Sequence, residues 1–528
     1  MPAALLPPLA ETASRDLVAE ADHRVAAGDL NGALRLFDDA ARGPHAAYAE
    51  LRRGQLLHAR GEHARARAAL TRARALRPGD APIGCALASL SRDEGNPARH
   101  THAESPAHAA DAALKLAAVL RSQHRLDEAQ HVIARAQQRA GICAALLHEK
   151  GLIALERDRP AEAEAAFAAA LALEPSRAVT RAALAAALLD LGRTAAALRE
   201  LDLAIPDLID PSAARQNRAW ALLALDRWAE GWEAFEAPAD SSAQHQSAHF
   251  SLPRWRGEAL AGALYVWGDL GLGDEVLVAS LMPALAVRAI DVVYECDPRL
   301  APLFARSMPG LQIVARHDGR VQPLDRCSAQ IAASSLFGVL GWRPDAAQPG
   351  NFLRADPRRI AAARARHAAP GRPLIGLSWA SHEGLFSRRK TLPTPVLDQL
   401  TVIPGAVFLD LQYGDTAEIR LALAGRTGID IRRDVEIDVT RNLDGLAALI
   451  GACDAVVTSS NITAHLAGAL GTTTHVLVPA GRARGWYWLP AQSRSPFYPR
   501  LTLHHQQVDG DWQHAIDGVH AALTPPIH

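Results

Sequence analysis

The chain has 528 residues, 49% hydrophobic and 21% charged, and carries a formal net charge of −1. That composition excludes an extended disordered chain and allows about two to four folded domains. The balanced charge lacks the basic excess of a general nucleic-acid or anionic-membrane binder, so neither partner is expected.

The opening MPAALLPPLAETASRD has no basic region and two adjacent prolines in its apolar stretch, which makes it a poor signal peptide. No uncharged apolar run reaches the ~18 residues of a membrane span, and a cytoplasmic protein is expected. The five cysteines (Cys85, Cys143, Cys296, Cys327, Cys453) are scattered without CxxC spacing, and the 22 histidines show no ligand spacing. Reduced core cysteines and no metal site are expected.

From residue 111 to 240 the sequence repeats every 34 residues. Ala117, Gly151, Ala185 and Ala219 hold one position; Ala129, Ala163, Ala197 and Gly231 follow twelve residues on, and Ile133, Phe167, Leu201 and Phe235 four after that. Small residues at two facing points let the helices of a hairpin approach, and the large residue fills the gap to the next hairpin. This is the period of a helical solenoid, usually a surface that holds another protein. Earlier units are recognisable through Ala21, Gly28, Ala33, Phe37 and Ala40, and through Gly54, Leu57, Gly61, Ala66, Leu70, Ala73 and Pro78. Residues 79–110, broken by Gly95, Asn96 and Pro97, read as a degraded unit.

All ten tryptophans lie at or beyond Trp220, and residues 236–252 are small and polar. Both features suggest a boundary, giving a solenoid over 1–240 and a linker over 241–261. From residue 262 the texture becomes α/β. Strands are expected at 263–269, 291–296, 311–316, 373–380, 406–412, 454–460 and 474–480. Helices are expected at 275–289, 298–307, 395–403, 415–424, 443–452 and 463–470. The alternation falls into two blocks, 262–355 and 356–528, hence two parallel sheets with helices on both faces and a ligand cleft at the strand carboxyl ends.

Four strand-end loops carry candidate chemistry. In GDLGLGDE (268–275), Gly271 and Gly273 let backbone pass close to a ligand. Asp274 can cap the following helix or face the cleft as a base; spacing alone favours the cap. In TSSNITAHLAGALG (458–471), Ser459, Ser460 and Asn461 start a helix whose free N–H groups and dipole suit a phosphate, with Thr463 and His465 projecting from its first turn. SWASHEGLFSRRKTLP (378–393) offers Ser378, Trp379 and Lys390, the sole lysine after residue 150, while Arg388 and Arg389 read as a solvated basic turn. In LQYGD (411–415), Gln412 and Tyr413 are placed to contact a base or sugar.

The 34-residue units resemble the tetratricopeptide family. Carrying over that family's groove positions gives Tyr48, Leu51, Gln55, His58, Leu114, Arg121, His148, Leu152, Leu155, Leu189, Gln216 and Trp220, a mostly apolar lining suited to an amphipathic helix. The segments PRWRGEALAGALYVWGDLGLGDE, LIGLSWAS, KTLP, FLDLQYGD, LAALIGACDAVVTSSNITAHLAGALG and SPFYPRLTL together resemble heptosyltransferase-like glycosyltransferases preceded by tetratricopeptide repeats. The resemblance implies an α-solenoid followed by a GT-B fold of two Rossmann-like halves. It implies a nucleotide-sugar donor as substrate, no cofactor and no metal, with Asp274 as base and the 460–465 loop on the donor phosphates. Within that group the architecture resembles alphaproteobacterial flagellin glycosyltransferases. That implies transfer of a sugar such as pseudaminic acid, from its CMP donor, to Ser or Thr of flagellin held by the repeats. A non-catalytic scaffold and a transferase acting on a lipid or polysaccharide are the alternatives.

Overall fold

The computed structural model describes residues 17–18, 20–21, 24–25, 29–78, 83–84, 86–87, 90, 106–236, 252–316, 325–346, 350–381, 386–490 and 492–524. Gly28, Cys85, most of the degraded unit and the connector over 237–251 lie outside the described residues. The chain forms two compact units that divide between residues 149 and 150.

In the first unit, α1 (Leu30–Ala40), α2 (Ala46–Ala59), α3 (His63–Leu76), α4 (Pro106–Ser122), α5 (Leu126–Ala140) and the start of α6 (Ala144–Glu156) follow one another. Asp29 caps α1 by accepting the Gly32 N–H at 2.9 Å. The repeat signature has a packing cause: a Cβ on Gly54 would come within 2.6 Å of Leu70, so α2 and α3 meet only because glycine stands there. Leu57, Ala66, Leu70 and Ala73 are buried at that contact, as are Ala117, Ala129 and Ile133 in the next hairpin.

The second unit begins with the rest of α6 and continues through α7 (Pro160–Leu173), α8 (Ala178–Asp190), α9 (Thr194–Ala204), α10 (Ser212–Ala224) and α11 (Trp228–Glu236). The 34-residue period reads out here too: a Cβ on Gly151 would lie 2.4 Å from Phe167, and one on Gly231 2.6 Å from Leu223.

Next comes a four-stranded parallel sheet of β1 (Ala263–Trp267), β2 (Val292–Cys296), β3 (Gln312–Ala315) and β4 (Cys327–Ala332), in the order β3-β2-β1-β4. Its helices are α12 (Leu272–Ala279), α13 (Met282–Val287), α14 (Ala301–Ser307) and α15 (Leu336–Val339). The single helix expected over 275–289 is broken, because Pro283 near the start of α13 cannot donate to the preceding turn. The second sheet is also parallel, in the order β10-β9-β8-β5-β6-β7. It is threaded through α16 (Pro357–His367), β5 (Leu374–Ser378), α17 (Ser387–Lys390), α18 (Thr394–Leu400), β6 (Val407–Asp410), α19 (Ala417–Thr427), β7 (Ile431–Arg433), α20 (Leu443–Ala452), β8 (Ala455–Ser459), α21 (Ile462–Leu470), β9 (Thr474–Val478), β10 (Leu501–His505) and α22 (Gln513–Leu523). The winding reverses between β1 and β4 in one sheet and between β5 and β8 in the other, and such switch points are where α/β sheets open a ligand crevice. No helix among the described residues is long and apolar enough to cross a membrane.

The unit boundary differs from the expected break at the 241–261 linker. Trp228 and Trp232 of the last repeat are buried in the same core as Leu264, Phe337, Trp342 and Trp488 of the sheet domains. Trp232 stacks on Phe337 with centroids 5.6 Å apart and donates its indole N–H to the Trp342 carbonyl at 2.7 Å. Trp255, inside the expected linker, is fully buried and donates its backbone N–H to Gln330 at 2.8 Å. The tryptophans thus mark a buried seam. Apolar area on this scale, at about 25 cal/mol per Å², holds the last repeats to the sheets.

Candidate active site

α12 follows β1 directly, and Gly271 takes its N-cap position without a side-chain cap. The capping role weighed for Asp274 is therefore not realised. Asp274 instead lines a cavity of about 210 Å³ together with Lys390, Arg482, Gln216 and the rings of Trp220, Trp232, Phe386, Trp486 and Tyr487. Lys390 ends α17, the short helix after β5, and Ser334 reaches the same cavity from the end of β4. The cavity therefore sits at the switch points of both sheets, and α10 of the solenoid supplies Gln216 and Trp220 as part of its wall.

Burial pushes the Asp274 carboxyl up to about 6, with Lys390 pulling it down and Asp269 pushing it up. The same burial lowers Lys390, opposed by the field of Asp274. Neither closes an ion pair with any described residue. They form an acid and a cation that share one low-dielectric space and remain open to a ligand.

Around them the other charges are tied. Arg389, expected as a solvated turn residue, is 9% exposed and pairs with Asp190 at 3.0 Å, Asp158 at 3.3 Å and Asp509 at 2.8 Å. Its three partners come from α8, the turn after α6 and the segment after β10. Asp190 also holds Arg482 at 3.0 and 2.7 Å, and Arg482 lies over the Phe386 ring at 5.3 Å. Tertiary pairing overrides the basic-turn expectation because three carboxylates converge on one guanidinium.

At the expected phosphate cradle, part of the helix start is satisfied from within. Asn461 caps α21 with its own side chain, accepting the Thr463 N–H at 2.9 Å. The Asn461 N–H goes to Ser459 O at 2.9 Å and the Ala464 N–H to Asn461 O at 3.1 Å. Ser378, Ser459, Asn461 and Thr463 belong to a buried polar network in which Asn461 Nδ2 donates to Ser378 Oγ at 2.9 Å and Thr463 Oγ1 to the same oxygen at 3.3 Å. Gln412 Oε1 accepts from Ser378 Oγ, Trp379 N and Ala380 N at 3.1, 2.9 and 2.8 Å, so it clips the end of β5 and offers nothing to a base. Ser460 Oγ accepts the Trp488 indole N–H at 2.8 Å. Trp379 is buried in the core on one face of the second sheet. Tyr413 packs on the core and does not line the cavity.

His465 is also internal. It stacks on Trp488 at 5.1 Å and meets Tyr498 Oη at 3.0 Å through Nδ1, and burial drops it to about 3, a neutral ring. A Cβ on Gly273 would come 2.9 Å from His465 Cδ2, so α12 rests directly on α21. Gly273 serves helix packing, while Gly271 is exposed. Asp274 thus lies beside the 459–465 loop as expected, but no gap separates them at that point; the open space lies toward Lys390 and the aromatic wall.

Of the groove positions, Leu51 and Leu189 are buried within their hairpins at 8% and 6% exposure, so they pack rather than dock. Tyr48 and Gln55 are exposed; His58, Leu114, His148, Leu152 and Leu155 are half-buried. Arg121 is held by Glu149 at 2.6 Å. Arg482, Phe386, Trp486, Tyr487 and Trp232 were not singled out by sequence, although the aromatic run GWYWLP (485–490) holds Trp486 and Tyr487. Among the described residues no cluster of His, Cys, Asp or Glu could hold a metal ion.

This architecture defines a class: a solenoid of 34-residue helical repeats joined to two parallel α/β sheets. No family profile matches the chain. It is 32% identical over 438 residues to Protein FlbA of Caulobacter vibrioides, covering 78% of this chain and 72% of that protein. The chain belongs to the family of Protein FlbA. Among solved structures, the E. coli ADP-heptose LPS heptosyltransferase II aligns with a TM-score of 0.36 and 15% identity over 49% of this chain and 98% of its own. A Thermobaculum terrenum O-GlcNAc transferase mutant aligns with a TM-score of 0.30 and 16% identity over 80% and 91%.

Proposed function

We propose that the chain is a cytoplasmic protein O-glycosyltransferase whose reaction occurs in the Asp274–Lys390 cavity. The observation that carries this is the meeting, at both switch points, of an unpaired raised-pKa carboxyl, an unpaired ammonium and stacking rings, with the repeats forming one wall. Asp274 takes the proton of an acceptor Ser or Thr hydroxyl as its oxygen bonds to the anomeric carbon. The bond from that carbon to the nucleotide phosphate breaks, and Lys390 stabilises the departing phosphate. One base and no covalent intermediate give inversion. The aromatic wall stacks the sugar ring; at about 210 Å³ the cavity takes the reacting end of a donor and not all of it. The step draws its cation from Lys390 and calls for no metal or cofactor.

The acceptor is a protein presented by the repeats, and flagellin is the proposed one on the sequence resemblance, with a CMP-nonulosonate such as CMP-pseudaminic acid as donor. The test is Asp274→Asn with purified acceptor and donor, read by intact mass. Loss of transfer with donor binding retained supports the reading. Full transfer by Asp274→Asn would remove Asp274 as the base, and a wild-type chain that binds no nucleotide sugar in calorimetry would favour a scaffold.

A further inference from the structure

The turn over Gly481–Arg484 and the residues after it serve three hollows, one of them a small space of about 30 Å³ that Arg484 shares with Arg482, Gly485 and Trp486. Arg482, Gly485, Trp486 and Tyr487 line the Asp274 cavity, while Arg484 lines another of about 520 Å³ at the carboxyl ends of β9 and β10. Its lining includes Ser493, His505, Gln506, Gln507 and His514, and contains no carboxylate and no lysine. Arg484 is its one permanent charge.

That arginine differs from its neighbours. Arg389 and Arg482 are both paired with the buried Asp190, and Arg389 also with Asp509. The Arg484 Nε is buried with no hydrogen-bond partner, and no carboxylate among the described residues pairs with its guanidinium. Burial alone lowers it to about 10, the sign of a cation with no opposing charge nearby. A desolvated, unpaired guanidinium is costly to a fold, and its planar fork matches an oxyanion. The surroundings add neutral donors. The Gln506 amide oxygen accepts the Ala480 N–H at 3.1 Å, which leaves its NH2 to donate. The Ser493 hydroxyl and the Gln507 amide stand at the exposed rim. The wall is stiffened by His505 Nε2, which donates to Gln492 O at 2.9 Å.

We propose that this hollow is an anion-binding site, taking a small molecule that bears a phosphate or carboxylate group on the Arg484 guanidinium. The site is separate from the transfer chemistry at Asp274 and stands or falls independently of it. Because its cation lies two residues from Arg482, an occupied site also steadies the turn that walls the Asp274 cavity.

The test is calorimetric titration of the full chain with inorganic phosphate and, separately, with acetate, each at ionic strength held constant with chloride. The wild type is compared with Arg484→Gln, Gln507→Glu and the surface control Arg343→Gln, whose side chain pairs with Asp345 outside these hollows. Gln507 is exposed and the change nearly isosteric, so this variant keeps the test open if Arg484→Gln misfolds. The expected result is saturable binding of at least one anion, weakened about tenfold or more in Arg484→Gln and Gln507→Glu and unchanged in Arg343→Gln. Phosphate without acetate identifies a phosphoryl ligand, and acetate binding a carboxylate one. No saturable binding of either, equal binding by wild type and Gln507→Glu, or an equal loss in Arg343→Gln would overturn the proposal.

Discussion

Asp190 is the carboxylate through which the repeats hold the segments that border the Asp274 cavity, and Asp190→Asn tests that grip with almost no change of shape. The side chain is 6% exposed and pairs with two guanidiniums, Arg389 at 3.0 Å and Arg482 at 2.7 Å. Removing one partner of a buried ion pair costs about 3–5 kcal/mol. Arg389 keeps Asp158 and Asp509, whereas Arg482 keeps no carboxylate among the described residues, so the lower end, about 3 kcal/mol, applies. At roughly 2 °C per kcal/mol for a large unit, the melting transition falls by about 6 °C. Arg482 and the Arg389–Lys390 turn both border the Asp274 cavity, so kcat/KM for transfer falls by about tenfold or more. The assay is scanning calorimetry at neutral pH beside initial rates, with Asp202→Asn as control. Asp202 pairs with Arg218 at the surface and is worth less than about 1 kcal/mol. If Asp190→Asn melts and turns over like Asp202→Asn, the clamp reading is wrong.

Asp274→Asn raises stability while abolishing transfer. A carboxyl whose folded value is raised from 3.8 to about 6 disfavours the charged folded form, so the penalty is absent below about pH 4 and fully present above about pH 6. The melting advantage of Asp274→Asn therefore appears across that window and reaches at most about 3 kcal/mol; no advantage at pH 8 would contradict a buried acid. Gly273→Ala forces a Cβ to 2.9 Å from His465 Cδ2, which rings on several sides prevent from yielding. It costs about 1–3 kcal/mol in chemical denaturation, while Gly271→Ala, with no atom nearer than 4.0 Å, stays within about 0.5 kcal/mol. A fragment starting at residue 142 folds cooperatively and binds donor, whereas one starting at residue 241 strips the cover from Phe337 and Trp342 and aggregates; a soluble, cooperative 241–528 fragment would refute the shared core.

The repeats were legible because a small residue every 34 positions is itself the packing contact, as at Gly151 on Phe167. The sheets were legible from their apolar runs, but β4, with its alternating polar residues, three-residue β7, and β10 were not. Asp274 and Lys390 were singled out from strand-end loops, but spacing alone favoured a cap for Asp274, and its role as base came from the family resemblance. At the 459–465 loop the Ser-Asn pair that signals a helix start also serves that start, with the Asn461 side chain accepting the Thr463 N–H that a phosphate could otherwise take. The Arg389–Asp190 clamp joins residues some 200 positions apart, and no local pattern encodes such a meeting. Tryptophan enrichment looks the same whether it opens a new domain or seals an old one, so it did not show that Trp228 and Trp232 share a core with the sheets.

Repeat arrays change length by duplication and loss, and here that freedom has a limit. Trp220, Asp190 and Trp232 each occupy a set place in the array, and each is spoken for by the sheets. Inserting one hairpin anywhere between residues 191 and 236 would carry at least one of them a full period out of position, and one between 159 and 190 would do the same to Asp158, a partner of Arg389. Lineages of this family are therefore expected to vary in repeat number only ahead of residue 150, with the last hairpins inherited together with the transferase.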